Sequence, residues 1–198
     1  MTANPCKCPA GCPLCMDSAM VEERLNDSSA CGREYFVTYG EFTATEEQVN
    51  FGLNDIDWRV RRAWALCTGF TPTAEQAARG LSDPDVDVRE AWMGRQDFTI
   101  TREQVESAST DLYKIRVRCL RRTDWTPTPE QVESGLRDNM WIVRLSWVER
   151  HDWIPTREQI VNGLADSHEE LRLAWMEKLK IYGRLLLSGE DEEIVNSL

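Results

Sequence analysis

The sequence has few of the residue types and patterns that enzymes and membrane proteins need. Only two of its 198 residues are histidine. It contains no phosphate-binding loop, no Ser, His and Asp pattern for nucleophilic catalysis, and no carboxylate pair outside the repeated pattern described below. No apolar run approaches the roughly 20 residues that a membrane-spanning helix requires. These absences favour a soluble protein without a catalytic centre.

Positive charge is also scarce. The chain has 23 Lys and Arg residues against 34 Asp and Glu residues, which gives a formal charge of −11. Such a balance repels nucleic-acid phosphates and anionic lipid headgroups, so it argues against direct nucleic-acid or membrane binding and favours a protein partner with a basic surface. No charged segment followed by an apolar stretch opens the sequence, so we expect a cytoplasmic location with reduced cysteines.

An internal repeat fills most of the chain. Its register is given by five glutamines at spacings of 28, 28, 27 and 28 residues: Gln48, Gln76, Gln104, Gln131 and Gln159. This period lies in the range of helical solenoids. A Thr three residues before each Gln is the pattern of a capping box, and a Gly-Leu pair in four units indicates a close turn at the helix end. The repeat therefore predicts five first helices.

Each unit continues with an Asp and then a second helix. The apolar positions of that helix fall at i, i+3 and i+4, as in Val60, Ala63 and Trp64, which predicts a buried face. We expect a tryptophan core from Trp64, Trp92, Trp147 and Trp175. An Arg such as Arg61 directly follows each first apolar position. Because Asp and Arg recur in step with the core, we expect them to hydrogen-bond between stacked units, rather than to form a solvated or catalytic pattern.

The third unit departs from the pattern. It lacks one residue before Ile115, has Cys119 in place of the tryptophan, and carries Arg118 where other units have Ala or Ser. An unpaired buried charge is costly, so Arg118 must pair with a buried acid or push its helix outward. We predict a local change of superhelical curvature here. The predicted partner-binding surface consists of Tyr113, Lys114, Arg118 and Arg121, with a solvated basic face or drift in a tolerant repeat as the alternatives.

Five of the seven cysteines lie before the repeat: Cys6, Cys8, Cys12, Cys15 and Cys31. This crowding indicates metal binding, because thiolates are ligands for zinc and for iron–sulfur clusters. The C-x3-C-x2-C core, with a proline after two of its cysteines, favours a [4Fe–4S] cluster on Cys8, Cys12, Cys15 and Cys31, with Cys6 as alternate ligand. Zinc on Cys6, Cys8, Cys12 and Cys15 is the rival, and unliganded thiols are the third alternative. Cys67 and Cys119 are expected to be small buried hydrophobes.

The segment Asp83–Trp92, DPDVDVREAW, carries the repeat pattern most fully. It resembles the leucine-rich repeat variant family and, more loosely, the HEAT-like α-solenoids. The resemblance implies short helices stacked in a right-handed superhelix and, as in some members, an N-terminal cysteine-bound [4Fe–4S] module. It covers residues 42–180 by repeat pattern and residues 6–31 only by the cysteine cluster. The period here is longer than is usual in the family.

We therefore predict an all-α protein, an α-solenoid of five two-helix repeats of 27–28 residues. Residues 1–40 would form a small cysteine-rich metal module, residues 41–180 the array, and residues 181–198 a C-terminal cap and acidic tail. The leading hypothesis is a non-enzymatic interaction module, a scaffold or inhibitor of a basic protein such as a nucleic-acid-binding protein. The alternative is an iron–sulfur redox or iron-responsive protein whose cluster transfers electrons or gates binding.

Overall fold

A computed structural model describes residues 18–40 and 42–186, and all regular secondary structure within these residues is α-helical. The prediction of an all-α chain is confirmed for this part. Its helices are α1 (Ser18–Leu25), α2 (Ala30–Tyr39), α3 (Glu46–Gly52), α4 (Trp58–Leu66), α5 (Ala74–Leu81), α6 (Val86–Gly94), α7 (Arg102–Ser109), α8 (Tyr113–Leu120), α9 (Pro129–Gly135), α10 (Trp141–Glu149), α11 (Arg157–Leu164) and α12 (Glu169–Leu186). None of these helices is long and apolar enough to cross a lipid bilayer.

The chain divides into two compact units, Met1–Thr99 and Ile100–Leu198. In the first unit the second helices of consecutive repeats, α2, α4 and α6, pack side by side, and α1, α3 and α5 each pack on the helix that follows. In the second unit α8, α10 and α12 form the corresponding row, with α7, α9 and α11 packed against it. Each unit is therefore a stack of two-helix repeats, as expected of an α-solenoid.

The first helix of each predicted repeat begins with a capping box. The Thr45 hydroxyl accepts a hydrogen bond from the Gln48 N–H at 3.3 Å, and the Gln48 side-chain oxygen accepts one from the Thr45 N–H at 3.0 Å. The same reciprocal pair starts the other four helices, at Thr73, Thr101, Thr128 and Thr156. These bonds satisfy N–H groups that the helix itself leaves free, so they fix where each helix begins.

The repeated glycine has a different role from the close turn that we expected. A Cβ added at Gly52 would lie 1.8 Å from Trp64 Nε1, because the indole of the second helix packs directly on the glycine. Gly80, Gly135 and Gly163 meet the tryptophans of their own repeats in the same way, and none of the four has a positive φ. The glycine is therefore needed to make room for the tryptophan.

The four tryptophans are buried, as predicted. Trp64 and Trp92 are each 1% exposed and lie in one core of the first unit with Val60 and Val88. In the second unit Trp147 and Trp175 occupy two neighbouring clusters. Leu136 and Trp153 pack against both clusters and so connect them.

The stacked repeats begin earlier in the chain than residue 41, where the predicted array starts. Arg33 in α2 donates to both carboxylate oxygens of Asp55, at 2.7 and 2.8 Å, and to the Asp27 carbonyl at 2.7 Å. Arg61 makes the same set of contacts one repeat later. Phe36 stands at the position of the tryptophans and is buried. By these contacts α1 and α2 form a further repeat unit.

At the other end, α12 continues from Glu169 to Leu186 without a break near residue 180, where we had predicted the array to end. Tyr182 lies near the C-terminal end of α12, and its hydroxyl donates to the His151 carbonyl at 3.3 Å. Of the predicted C-terminal cap and acidic tail, residues 181–198, residues 187–198 lie outside the described residues.

Candidate binding site

The predicted Asp–Arg series is present. Arg61 Nε and Nη2 donate to the two carboxylate oxygens of Asp83 at 2.7 and 3.0 Å, and Arg61 Nη1 donates to the Asp55 carbonyl at 2.8 Å. Arg33 with Asp55, and Arg144 with Asp166, repeat this geometry. Burial raises the pKa of Asp55, but the hydrogen bonds from Arg33 and the backbone outweigh it and hold the pKa below its usual value. These residues are thus committed to joining repeats.

The third repeat, α7 and α8, keeps this pairing in a distorted form. Arg116 Nη2 donates to Asp138 Oδ1 at 2.9 Å. Arg116 Nε lies 2.8 Å from Asp138 Oδ2, yet its N–H is not aligned with that oxygen. The Asp–Arg series therefore continues through the third repeat, which lacks one residue before Ile115, but with a different local geometry.

The predicted partner-binding residues lie on α8 and at its C-terminal end, and all four are exposed: Tyr113, Lys114, Arg118 and Arg121. Arg118 does not lie in the core: its side chain reaches solvent, whereas Ala63, Ala91 and Ser146 at the same position are buried. Val117, beside it, is buried instead. The repeat accommodates the arginine by turning it out of the core.

Only one of the five candidate metal ligands, Cys31, lies within the described residues; it is exposed in the first turn of α2. Cys6, Cys8, Cys12 and Cys15 lie outside them, so the fit of a cluster is not tested. Among residues 18–40 and 42–186, no group of three or more His, Cys, Asp or Glu side chains could hold a metal ion. Cys119 is buried as expected, and burial raises the pKa of its thiol to about 12, which keeps it protonated.

A second series of cations was missed by the sequence reasoning. Arg95, Arg122, Arg150 and Lys178 recur at spacings of 27, 28 and 28 residues, and all four are buried. The signal was in the sequence, since each of the three arginines is followed two residues later by an Asp, as in Arg95 and Asp97. Arg95 Nε donates to the Asp97 carboxylate at 2.9 Å.

Arg95 and Arg150 bind the C-terminal end of the preceding second helix. Arg95 Nη1 donates to the carbonyls of Ala65 and Cys67 at 2.9 and 2.7 Å, and Nη2 donates to the Phe70 carbonyl at 3.0 Å. The guanidinium also lies 4.7 Å from the Phe70 ring centroid. Arg150 makes the corresponding bonds to the carbonyls of Leu120, Arg122 and Trp125 and lies 4.3 Å from the Trp125 ring. Carbonyls that end a helix carry partial negative charge, so a cation there stabilises the helix end.

Lys178 shows that this site holds an ammonium as well. Its Nζ donates to the carbonyls of Val148 and Arg150 at 3.0 and 2.5 Å and lies 4.0 Å from the Trp153 ring centroid. Burial lowers the pKa of Lys178 to about 8, so the group remains mainly protonated at neutral pH. The position two residues on is Lys180, so no paired Asp follows it. Carbonyls and one aromatic ring are therefore enough to retain a cation.

Exposed carboxylates, in contrast, recur at the N-terminal end of the first helices. The residue before each repeat glutamine is an exposed Glu: Glu47, Glu75, Glu103, Glu130 and Glu158. Hydrogen bonding by the backbone N–H and by Thr101 lowers the pKa of Glu103, and the equivalent groups lower the pKa of Glu130. We call these five residues the glutamate row.

A cavity of about 460 Å³ opens between α2 and α4 in the first unit. Its lining includes Glu34, Tyr35, Val37, Tyr39 and Cys67. Tyr35 and Tyr39 are 68% and 70% exposed, and their ring centroids lie 4.9 Å apart. The cavity thus combines an aromatic rim, one carboxylate and the C-terminal end of a helix.

No family model matches this sequence, and no curated protein was found to match it.

Proposed function

We propose that this chain is a non-enzymatic helical-repeat protein that binds a protein partner through a basic surface of that partner. The observation that carries the proposal is the separation of charge: the cations of the two internal series point inward and are buried or half-buried, whereas the glutamate row is exposed. Within the Asp–Arg pairs the charges cancel, so the excess of acidic side chains lies on other, solvated positions. An acidic surface attracts basic partners and speeds their association.

The class of partner that fits best is a nucleic-acid-binding protein whose basic surface the acidic repeats would cover. The chain would then act as an inhibitor or scaffold. Resemblance of the repeat pattern to the leucine-rich repeat variant family supports the α-solenoid architecture and not this choice of partner. The proposal therefore depends on charge and exposure alone.

A synthetic arginine-rich peptide tests the proposal without knowledge of the natural partner. We expect the full chain to bind it, with an affinity that falls steeply as salt rises, because exposed charges are screened. A variant with Glu103, Glu130 and Glu158 changed to Gln should bind at least about tenfold more weakly. Fluorescence anisotropy with a labelled peptide provides the measurement.

A matched control removes the same charge elsewhere in the same unit. Glu106, Glu149 and Glu177 are exposed and lie outside the glutamate row, so their change to Gln should weaken binding much less. Equal weakening in the two triple variants would show that only net charge matters and would remove the glutamate row as the docking surface. No binding by the unaltered chain at low salt would overturn the proposed function.

The exposed residues of α8 form the second proposed element of the partner surface. Tyr113 is 41% exposed, and Lys114 and Arg121 extend the same exposed segment. Once a partner has been captured from the native host and identified, Lys114→Glu with Arg121→Glu should change its affinity at low salt: upward where these cations face the basic surface of the partner, and downward where they pair with an acidic group beside it. An unchanged affinity would remove the third repeat from the docking site.

A further inference from the structure

The series of buried cations has a gap in the first unit. One repeat before Arg95 the corresponding residue is Cys67, so α4 supplies no cation to the end of α2. The paired carboxylate is absent as well, because Gly69 stands where Asp97 follows Arg95. The junction of α2 and α4 therefore lacks both charged groups that Arg95 and Asp97 supply at the junction of α4 and α6.

The backbone at this junction is nevertheless the same. Cys67 has φ −66° and ψ 126°, close to the values of −69° and 143° at Arg95 and of −67° and 142° at Arg150. All three residues directly follow the last residue of a second helix. Since backbone angles set the direction of Cβ, the side chain of Cys67 leaves the chain in the direction that the two arginines take.

The acceptors that the missing cation would use are also in place. Arg95 and Arg150 each bind carbonyls 30, 28 and 25 residues earlier. Counted from Cys67, these are the carbonyls of Val37, Tyr39 and Phe42. No side chain of the described residues donates a hydrogen bond to any of the three. Carbonyls at a helix end need a donor, so these oxygens are suited to accept hydrogen bonds from an incoming cation.

Space for that cation is present. The cavity of about 460 Å³ between α2 and α4 is lined by Val37, Tyr39 and Cys67, the residues at which the cation would sit, and by the Glu34 carboxylate. Among the described residues of the lining, Arg62 is the only cation; it is exposed and makes no hydrogen bond to these carbonyls. The cavity is thus open to a guanidinium or ammonium group from outside.

The aromatic element of the site is conserved within the chain's own repeats. Phe70, Trp125 and Trp153 lie 25 residues before the cations that they contact, at 4.7, 4.3 and 4.0 Å. Phe42 lies 25 residues before Cys67, and its ring stacks on Phe36 at 4.8 Å. An aromatic face attracts a desolvated cation, and the face of Phe42 turned away from Phe36 would supply this third feature, although Phe42 is not among the residues that line the cavity.

We propose that the junction of α2 and α4 is a binding site for a guanidinium or ammonium group, and that its occupant is an arginine or lysine side chain of the basic partner. The choice of a protein side chain as occupant rests on the proposed function, whereas the site itself rests on the repeat geometry. Glu34 replaces the missing Asp as the carboxylate near the bound cation. The glutamate row alone would attract any basic partner through net charge. This site adds specificity, because it requires a cationic side chain at a defined position.

A short peptide with a single arginine among glycines and serines is the first probe, and the same peptide with citrulline is its control. Citrulline has nearly the shape of arginine but no charge. Nuclear magnetic resonance of the full chain should show saturable shifts at residues 34–39 and 66–69 with the arginine peptide, and at least about tenfold weaker binding with citrulline. Shifts elsewhere only, or equal binding of the two peptides, would overturn the site.

Refilling the gap is the second test. Cys67→Arg with Gly69→Asp recreates the pair seen at Arg95 and Asp97, and an added Cβ at Gly69 meets no atom closer than 3.4 Å. This variant should unfold at a higher temperature and should no longer bind the arginine peptide, whereas Cys67→Ala should bind it as the unaltered chain does. Unreduced binding by the refilled variant would show that the peptide occupies another place.

Lys7, the only Lys or Arg among residues 1–17, lies outside the described residues and is the competing occupant from the chain itself. If Lys7→Gln alone lowers the unfolding temperature and allows peptide binding that the unaltered chain lacks, the site exists but is filled from within, which overturns the partner as occupant. The two proposals fail separately. If the glutamate-row variant no longer binds the arginine-rich peptide but still binds the single-arginine peptide, both proposals are supported. If the unaltered chain binds the single-arginine peptide but not the arginine-rich peptide, only the proposed function is contradicted.

Discussion

The indole of Trp92 lies so close to Gly80 that a Cβ at the glycine would come within 2.1 Å of Trp92 Nε1. In the third repeat the two corresponding positions hold Ala108 and Cys119. Ala108 is larger than the glycine and Cys119 is smaller than the tryptophan, as expected if the two positions contact each other. A cavity of about 250 Å³ borders Cys119, where the indole is missing. The irregular repeat is therefore a compensated pair of changes, and not two unrelated ones.

Gly80→Ala should destabilise the protein, because the new methyl group forces the buried indole of Trp92 to move. Overpacking of this kind costs about 1–3 kcal/mol. The matched change Ala108→Gly, where the partner is Cys119, should cost less than Gly80→Ala, since no indole depends on it. Chemical denaturation of both variants, followed by circular dichroism, measures the two free energies of unfolding.

The double variant Gly80→Ala with Trp92→Cys imitates the third repeat. Because the two residues share one contact, its loss of stability should be smaller than the sum of the two single losses by roughly 1 kcal/mol or more. Additive losses would show that glycine and tryptophan act independently, contrary to the geometry.

Trp147→Ala should cost about 3–5 kcal/mol, the usual loss when an aromatic core site is emptied. Trp147 is 7% exposed and packs with Val143 and Leu120. Trp58, which is 37% exposed, provides the control, and its change to Ala should cost no more than about 1 kcal/mol. Similar losses for the two tryptophans in urea denaturation would contradict the assignment of Trp147 to the core.

Arg144→Lys should destabilise by about 1–3 kcal/mol although it preserves the charge. The guanidinium of Arg144 holds both oxygens of Asp166 at 3.0 Å and the Asp138 carbonyl at 2.8 Å, and one ammonium cannot reproduce that fork. Arg137 pairs with Glu133 on the surface, where its side chain is 76% exposed. Its change to Lys should therefore alter stability by less than about 0.5 kcal/mol. If Arg144→Lys lowered the free energy of unfolding as little as Arg137→Lys does, the Asp–Arg series would not stabilise the stacked repeats.

Stability should fall in acid partly through Asp55. Its folded-state pKa lies below the ordinary value of 3.8, so the carboxylate stabilises the fold fully above that value and loses its contribution as pH falls through the lower, folded pKa. The difference in unfolding free energy between the unaltered chain and Asp55→Asn should be constant at neutral pH and should shrink below about pH 4. A difference that does not depend on pH would show that the Arg33 contact is not charge-dependent.

The capping boxes, the Asp–Arg series and the tryptophan core were predictable because each rests on residues that recur at a fixed spacing. The unit formed by α1 and α2 was missed for the same reason. It has Met20 in place of the glutamine, Arg24 in place of the glycine and Phe36 in place of the tryptophan, so only Leu25, Asp27 and Arg33 retain the pattern. Sequence spacing detects a repeat through its most distinctive residues, whereas the fold needs only the contacts.

The burial of the repeated cations and the role of glycine could not be derived in the same way. Arg95 follows a helix end and precedes a polar residue, so its sequence position suggests a solvated loop. Its burial depends on carbonyls of the preceding repeat, which the local sequence does not reveal. The contact of Gly52 with Trp64 joins two helices, which a turn signal does not reveal. Both features arise from stacking, and only the positions in space show them.

The cysteine cluster is the remaining prediction, and Cys31 is its only member within the described residues. If the ligands are Cys8, Cys12, Cys15 and Cys31, anaerobically purified protein should be brown and contain about four irons and four sulfides per chain. Cys12→Ala or Cys15→Ala should remove the metal and leave the far-ultraviolet helical signal largely intact, because the described helices begin at Ser18.

Cys31 itself separates the two metals. It belongs to the proposed cluster but not to the zinc site on Cys6, Cys8, Cys12 and Cys15. Cys31→Ser should therefore abolish iron binding, or weaken it where the alternate ligand Cys6 takes its place, and should leave a zinc site unchanged. Cys119→Ala is the control, because that thiol is buried and its raised pKa of about 12 prevents it from acting as a thiolate ligand. A colourless protein with one zinc per chain would select the zinc site. Protein prepared without air or chelators that contains no metal would exclude both, and the crowded thiols would then be unliganded.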